Sequence, residues 1–270
     1  MIRKTITAII LAALFSSCHI YRAYERPESV TVSDSLYREP VSAADSVSLA
    51  SLTWRELFRD SQLQQLIERG LAHNTDLRIA RLKVKEAEAL LMTSRLSYLP
   101  SVSLNPQGIL TSVDGSKPSK TYNLAVAADW EIDLFGKLLN AKRGAQAALE
   151  QSEAYRQAVQ TQLIATIANS YYTLLLLDEQ LGITQRTAVT WTECLRTMKA
   201  LKRAGQATEM AVAQTEASKL AVDASVVSIE RQINEMENSL SVLLGMPPQE
   251  ISRSVLGKQE FPDSLATGIP

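Results

Sequence analysis

Apolar and small residues recur every third or fourth position from Gly136 to Gly205, without a proline: Leu138, Ala141, Ala145, Ala148, Ser152, Tyr155, Val159, Leu163, Ile167, Ser170, Leu174, Leu177, Leu181, Thr184, Ala188, Trp191, Leu195 and Met198. Steps of three and four alternate almost throughout, the seam of one continuous helix. Three fours in a row through Val159, Leu163 and Ile167 would locally unwind a supercoil. At about 1.5 Å per residue this helix would measure roughly 100 Å, whereas globular helices average about 11–12 residues. Such a rod has to bridge two distant places.

Shorter seams flank it. Leu63, Leu66, Ile67 and Leu71 face one way, with Asp60 as N-cap and Asn74 as stop. Leu77, Ala80, Val84, Ala87, Leu91, Ser94 and Tyr98 form a second helix that ends before Pro100. After Gly205, Thr208 is the N-cap of a helix with the seam Val222, Val226, Ile229, Ile233, Met236, Leu240 and Leu243. The tight turn makes the two long helices antiparallel. Between Pro100 and Gly136 the period changes to two. Tyr122, Leu124, Val126, Ala128 and Trp130 alternate with Asn123, Ala125, Ala127 and Asp129. That pattern fits a transmembrane β-strand with aromatics near the interfaces, and equally a soluble hairpin packed on helices. Val102, Leu104 and Leu110 offer a partner strand interrupted by Pro106 and Gly108, and Asp114-Gly115-Ser116 with Pro118 makes the turn.

At the N-terminus, Arg3 and Lys4 precede an apolar run of about ten residues, too short to span a bilayer as a helix. Ser16-Ser17 then lead to Cys18. Cleavage before Cys18 and its acylation would make a lipoprotein; the other reading is a plain secretory signal with an incidental cysteine. Residues 19–55 read as an extended tether containing Pro27 and Pro40. Residues 56–99 read as entry helices, 100–135 as the hairpin, 136–245 as the long helical pair and 246–270 as an irregular tail. The fold class is mainly α, long antiparallel coiled-coil-like hairpins plus a β-hairpin.

The net charge of −1 and the absence of any basic run argue against nucleic acid as a partner. Two cysteines exclude a disulfide framework, and Cys194 reads as a small buried apolar side chain. The two histidines, His19 and His73, belong to no metal or catalytic motif. The residues indicate no enzyme, no cofactor and no metal site.

Asp129-Trp130-Glu131-Ile132-Asp133-Leu134-Phe135-Gly136-Lys137 resembles the strand-to-helix signature of the TolC-like outer-membrane efflux factors, in their OprM/NodT-type lipoprotein branch. The likeness continues in order through Cys18, Tyr98-Leu99-Pro100, Ala168-Asn169-Ser170-Tyr171-Tyr172, Arg203-Ala204-Gly205, Leu243-Leu244-Gly245 and Phe261-Pro262 to Ile269-Pro270. It implies a homotrimer whose protomers share a twelve-stranded barrel and a periplasmic helical tunnel. Family members have two similar halves, and this chain looks like the first, with Ile269-Pro270 where the second repeat should begin; either the chain is a truncated product or fragment, or the partner half is a separate chain. The partners implied are a periplasmic adaptor (membrane fusion) protein, an inner-membrane pump of the RND or another type, and membrane lipid.

The function implied is passive export through the outer membrane, as one component of a tripartite efflux system. The alternative is a truncated or pore-less, lipid-anchored α-helical interaction protein. Cys18 would carry the lipid. Tyr122, Leu124, Val126 and Trp130 would face the bilayer, and Asp133, Phe135 and Gly136 would form the strand-to-helix corner. By position in the family, Arg203, Ala204, Gly205, Gln206, Ala207 and Thr208 would meet the adaptor, although Gly205 would close a turn in either case.

Overall fold

The computed structural model describes residues 53–112, 115 and 117–259. Cys18, residues 19–52 of the expected tether and the Phe261-Pro262 to Ile269-Pro270 ending lie outside the described residues. The elements are α1 (Trp54–Leu57), α2 (Ser61–His73), α3 (Thr75–Leu96), β1 (Ser101–Thr111), β2 (Ser119–Asp129), α4 (Lys137–Arg203) and α5 (Glu209–Leu243), followed by a 3₁₀ turn at Leu256–Lys258. The described residues separate into two compact units, one of residues 87–149 and one of residues 53–86 and 150–259.

α4 runs unbroken for 67 residues, as its seam requires. All seam positions except Ala141, Ala148 and Tyr155 are at least partly buried. Within the helical unit the buried surface widens beyond the seam, because Ala168, Tyr171 and Leu175 are covered as well as Ile167 and Leu174. The helix there has neighbours on two sides. Those neighbours supply Leu63, Ile67, Leu77, Ile229, Ile233, Leu240, Leu244 and Ile251 to the same core. Burying each such aliphatic side chain contributes about 1.5–3 kcal/mol.

The helix ends follow local chemistry. Asp60 caps α2 by accepting from the Gln62 N–H at 2.8 Å. Asn74 serves three elements. Its backbone ends α2, its Oδ1 accepts from Leu77 N–H at 2.9 Å to open α3, and its Nδ2 donates to Leu243 O at 3.0 Å at the end of α5. Gly70 allows a close approach, since a β-carbon there would overlap Ile167 Cδ1 and force that side-chain end to shift. The helical turn α1 begins inside the stretch read as tether. A Thr53–Glu56 capping box closes it, and Trp54 and Phe58 pack on the core.

Two readings are corrected. Cys194 is exposed, not buried; it precedes the buried seam residue Leu195 and so projects off the seam. β1 is not interrupted at Pro106 or Gly108. It pairs antiparallel with β2 from Ser101↔Asp129 to Thr111↔Ser119, with Pro106 opposite Leu124 and Gly108 opposite Tyr122. The Tyr122 ring covers the space above Gly108, where a β-carbon would meet it at 3.5 Å.

Candidate functional site

Residues directly opposite each other in an antiparallel pair share a face. The register therefore gathers Val102, Leu104, Pro106, Gly108 and Leu110 with Tyr122, Leu124, Val126 and Ala128 on one side, and Lys120 joins them at the turn end. Ser101, Ser103, Asn105, Gln107 and Thr111 share the other side with Ser119, Thr121, Asn123, Ala125, Ala127 and Asp129; Ile109 is the apolar exception. Every residue of both strands is exposed, Tyr122 at 80% and Leu124 and Val126 at 68%. A soluble hairpin packed on helices would cover its apolar face, and here no described residue covers it. An isolated two-stranded ribbon is marginal in water, and eleven residues per strand match the 9–11 that a tilted transmembrane strand needs.

Trp130 lies one residue past β2, and its indole N–H donates to Tyr98 O at 3.1 Å. In the corner that follows, Asp133 Oδ2 accepts from Leu139 N–H at 2.9 Å, holding a donor of the first turn of α4. Gly136 has φ +74°, the left-handed region that favours glycine. Phe135, between them, is 90% exposed.

Arg203–Thr208 is an exposed turn in which only Ala207 is partly covered. Gln206 N–H donates to Leu201 O and Gly205 N–H to Lys202 O, both at 2.9 Å, with Gly205 at φ +74°. These two bonds close the end of α4 as a Schellman cap. Thr208 Oγ1 then accepts from Ala211 N–H at 3.2 Å to open α5. Lys199 with Glu216, 3.6 Å apart, and Lys202 with Glu209 link the two helices below the turn. Such exposed pairs contribute about 0–1 kcal/mol each. A β-carbon on Gly205 would meet nothing within 4 Å, so only its backbone conformation demands glycine.

Two polar nodes in the helical unit were not legible in the sequence. Asp60 Oδ2 accepts from Tyr171 Oη at 2.6 Å, from Gln259 Nε2 at 2.8 Å and from the Ser254 hydroxyl. Burial pushes the Asp60 carboxyl up, but bonds from Ser254, Tyr171, Gln259 and the Gln62 N–H outweigh it and hold the group at about 2. Burial first, then the bond to Asp60, pushes the Tyr171 phenol up to about 12. In the second node, Arg253 forks between Asp178 and Glu237. The partners are 16 to 199 residues apart along the chain, beyond the reach of any helical or strand spacing, so no local pattern could announce them. Together they strap the irregular segment 246–259 onto the helices.

The depressed Asp60 pKa gives a pH prediction. Its stabilisation is complete above the ordinary value of 3.8 and is lost as pH falls toward about 2. Asp60→Asn is expected to lower the helical melting temperature at neutral pH and to flatten its dependence on pH across that window. Thermal circular dichroism of both proteins checks this; parallel acid profiles would contradict it.

Among the described residues, no group of three His, Cys, Asp or Glu could hold a metal ion, and no helix is long and apolar enough to cross a membrane. The profile of the outer membrane efflux protein family matches residues 66–246. The probable efflux pump outer membrane protein TtgC of Pseudomonas putida is 28% identical over 257 residues, covering 91% of this chain and 53% of that protein. The solved outer-membrane channel OprN aligns with a TM-score of 0.75 at 25% identity, over 93% of this chain and 58% of that one. The open-state MtrE channel of Neisseria gonorrhoeae aligns at 0.73 and 29% identity, over 92% of this chain and 56% of that one. The chain spans about half the length of the curated relatives it matches.

Proposed function

The chain belongs to the outer membrane efflux protein family, and from that footing we propose that it contributes to the outer-membrane conduit of a tripartite efflux system. The observation that carries this is the two-faced exposed hairpin, joined through a capped corner to a 67-residue helix that ends in an exposed turn. The apolar face meets lipid, and the Ser/Asn/Ala face meets a hydrated lumen. Because an open sheet edge is not tolerated in hydrocarbon, both edges of the ribbon pair with further strands.

A homotrimer is the assembly we infer. A second, exposed seam on α5 supports it: Met210, Ala213, Ala217, Leu220, Ala224 and Val227 alternate steps of three and four on a face that no described helix covers. Small residues at such a seam allow close helix packing. Acylation at Cys18 anchors the chain in the outer membrane. The turn Arg203–Thr208 receives the periplasmic adaptor, and an inner-membrane pump, of the RND or another type, supplies the energy and the substrate choice. The conduit itself uses no cofactor and catalyses no reaction.

Gly205→Val tests the assignment of the turn. A β-branched residue in the left-handed region costs about 1–2 kcal/mol, enough to reshape the turn without unfolding helices that are held elsewhere. In a strain lacking the native gene, the wild-type protein is expected to restore drug efflux and to crosslink to the adaptor. The variant should lose both while keeping the trimer. Unchanged crosslinking would refute the turn as the docking point, and a wild-type protein that restores no efflux would refute the conduit.

A further inference from the structure

A groove of about 530 Å³ opens in the helical unit between the start of α3 and the middle of α4. Sites for small organic molecules span about 300–1,000 Å³ and are mostly apolar with a few placed polar groups. Ala80 and Leu163 line the groove as buried residues, and Ile79 and Tyr155 line it while 47% and 52% exposed. Its apolar wall therefore runs from the core out to solvent.

The polar groups in the lining divide into two sets. Asn74 is bonded to Leu77 N–H and to Leu243 O, and Gln162 donates to Thr166 Oγ1 at 3.2 Å. Those groups are satisfied and brace the walls. The exposed Asp76 carboxylate and the Tyr155 hydroxyl have no hydrogen-bond partner among the described residues. Asp76 is also the one charged residue in the lining. Lys83, just outside it, already holds the Tyr155 ring, with Nζ 5.4 Å from the ring centre. Lys83 follows Asp76 by two helical turns, about 10 Å along α3. Positive charge thus stands near the Tyr155 side and an unanswered negative charge at the other end, with apolar surface between them. A ligand matched to this surface carries its cation at the Asp76 end and an apolar body toward Tyr155.

We propose that this groove binds small organic ammonium ions. The ammonium donates to the Asp76 carboxylate, and the apolar body lies along Val159 and Tyr155. The site is built from the helical unit alone, so it stands or falls separately from the conduit.

Two probes of one shape and opposite charge test this: 9-(aminomethyl)anthracene, an ammonium at neutral pH, and 9-anthracenecarboxylate. Each is titrated by fluorescence anisotropy into the full-length protein in an uncharged maltoside detergent. The blank is Ala158→Leu in the same micelles. Ala158 lines the groove and is exposed, so the larger side chain fills the groove without entering the core. An exposed ion pair changes affinity by up to about fivefold. Because Asp76 attracts one probe and repels the other, the wild-type protein is expected to favour the ammonium about tenfold. Asp76→Asn should level the two probes, and circular dichroism checks that both variants keep their helical melting. Equal binding of the two probes to the wild-type protein overturns the cation preference. A preference that survives Asp76→Asn overturns the role of that carboxylate. Binding no stronger than in the Ala158→Leu blank overturns the groove as a site, and so does the absence of binding by either probe.

Discussion

Arg253→Met is expected to destabilise the helical unit by about 3–5 kcal/mol, the cost of removing one partner from a buried ion pair. The Arg253 side chain is 14% exposed and that of Glu237 8%, against 38% for Asp178. Loss of the guanidinium leaves Asp178 able to hydrate. Glu237 retains only the Ile251 N–H, 3.3 Å away. The bonds to Asp178 and Glu237 raise the pKa of Arg253 above its ordinary value despite its burial, so the guanidinium keeps its charge at any working pH. Denaturant unfolding followed by helical circular dichroism measures the loss. Adding Glu237→Gln should recover most of it, because the penalty lies in the stranded charge. A shift of about 1 kcal/mol or less would mean that the triad behaves like a surface pair.

The second large effect belongs to the ribbon. Val126→Arg is expected to cost about 2–4 kcal/mol of assembly in the membrane, the price of a cation at mid-depth on a lipid-facing strand position. Ala125→Arg, one residue earlier and therefore on the opposite face, should be tolerated because its side chain points into the hydrated side. Heat-modifiable trimer recovered from outer-membrane fractions reads both variants. Equal loss from the two would remove the two-faced assignment, and with it the lumen. The Val126 partner across the ladder is Leu104, so the apolar face is built jointly by the two strands.

The legible parts of this protein are those whose causes are local. Asp60, Asn74 and Thr208 act within four residues of the ends they cap, so the amino-acid types alone located those ends. Gly205 and Gly245 adopt φ +74° and +63° where their helices end, again a local demand. The ribbon was half legible. Period two marked β2, but Pro106 and Gly108 obscured β1, because their acceptability depends on what lies across the ladder. Cys194 was misplaced for a related reason: periodicity gives the seam, but a residue adjacent to it can face either way until the neighbouring helix is in place.

The sequence by itself determined a continuous helix from Lys137, the antiparallel helix that follows it, the two-faced alternation of the hairpin and the positions of the caps. Each depends on period, propensity or a hydrogen bond reaching only a few residues. Tertiary structure alone decided which face of α4 carries a second packing surface around Ala168, Tyr171 and Leu175. It also decided that the irregular segment after Pro248 is bound to the helices through Arg253, Ser254 and Gln259. Those interactions join groups brought together by the packing of several helices. A desolvated carboxylate such as Glu237 acquires its meaning from the cation placed beside it, and no spacing along the chain encodes that placement.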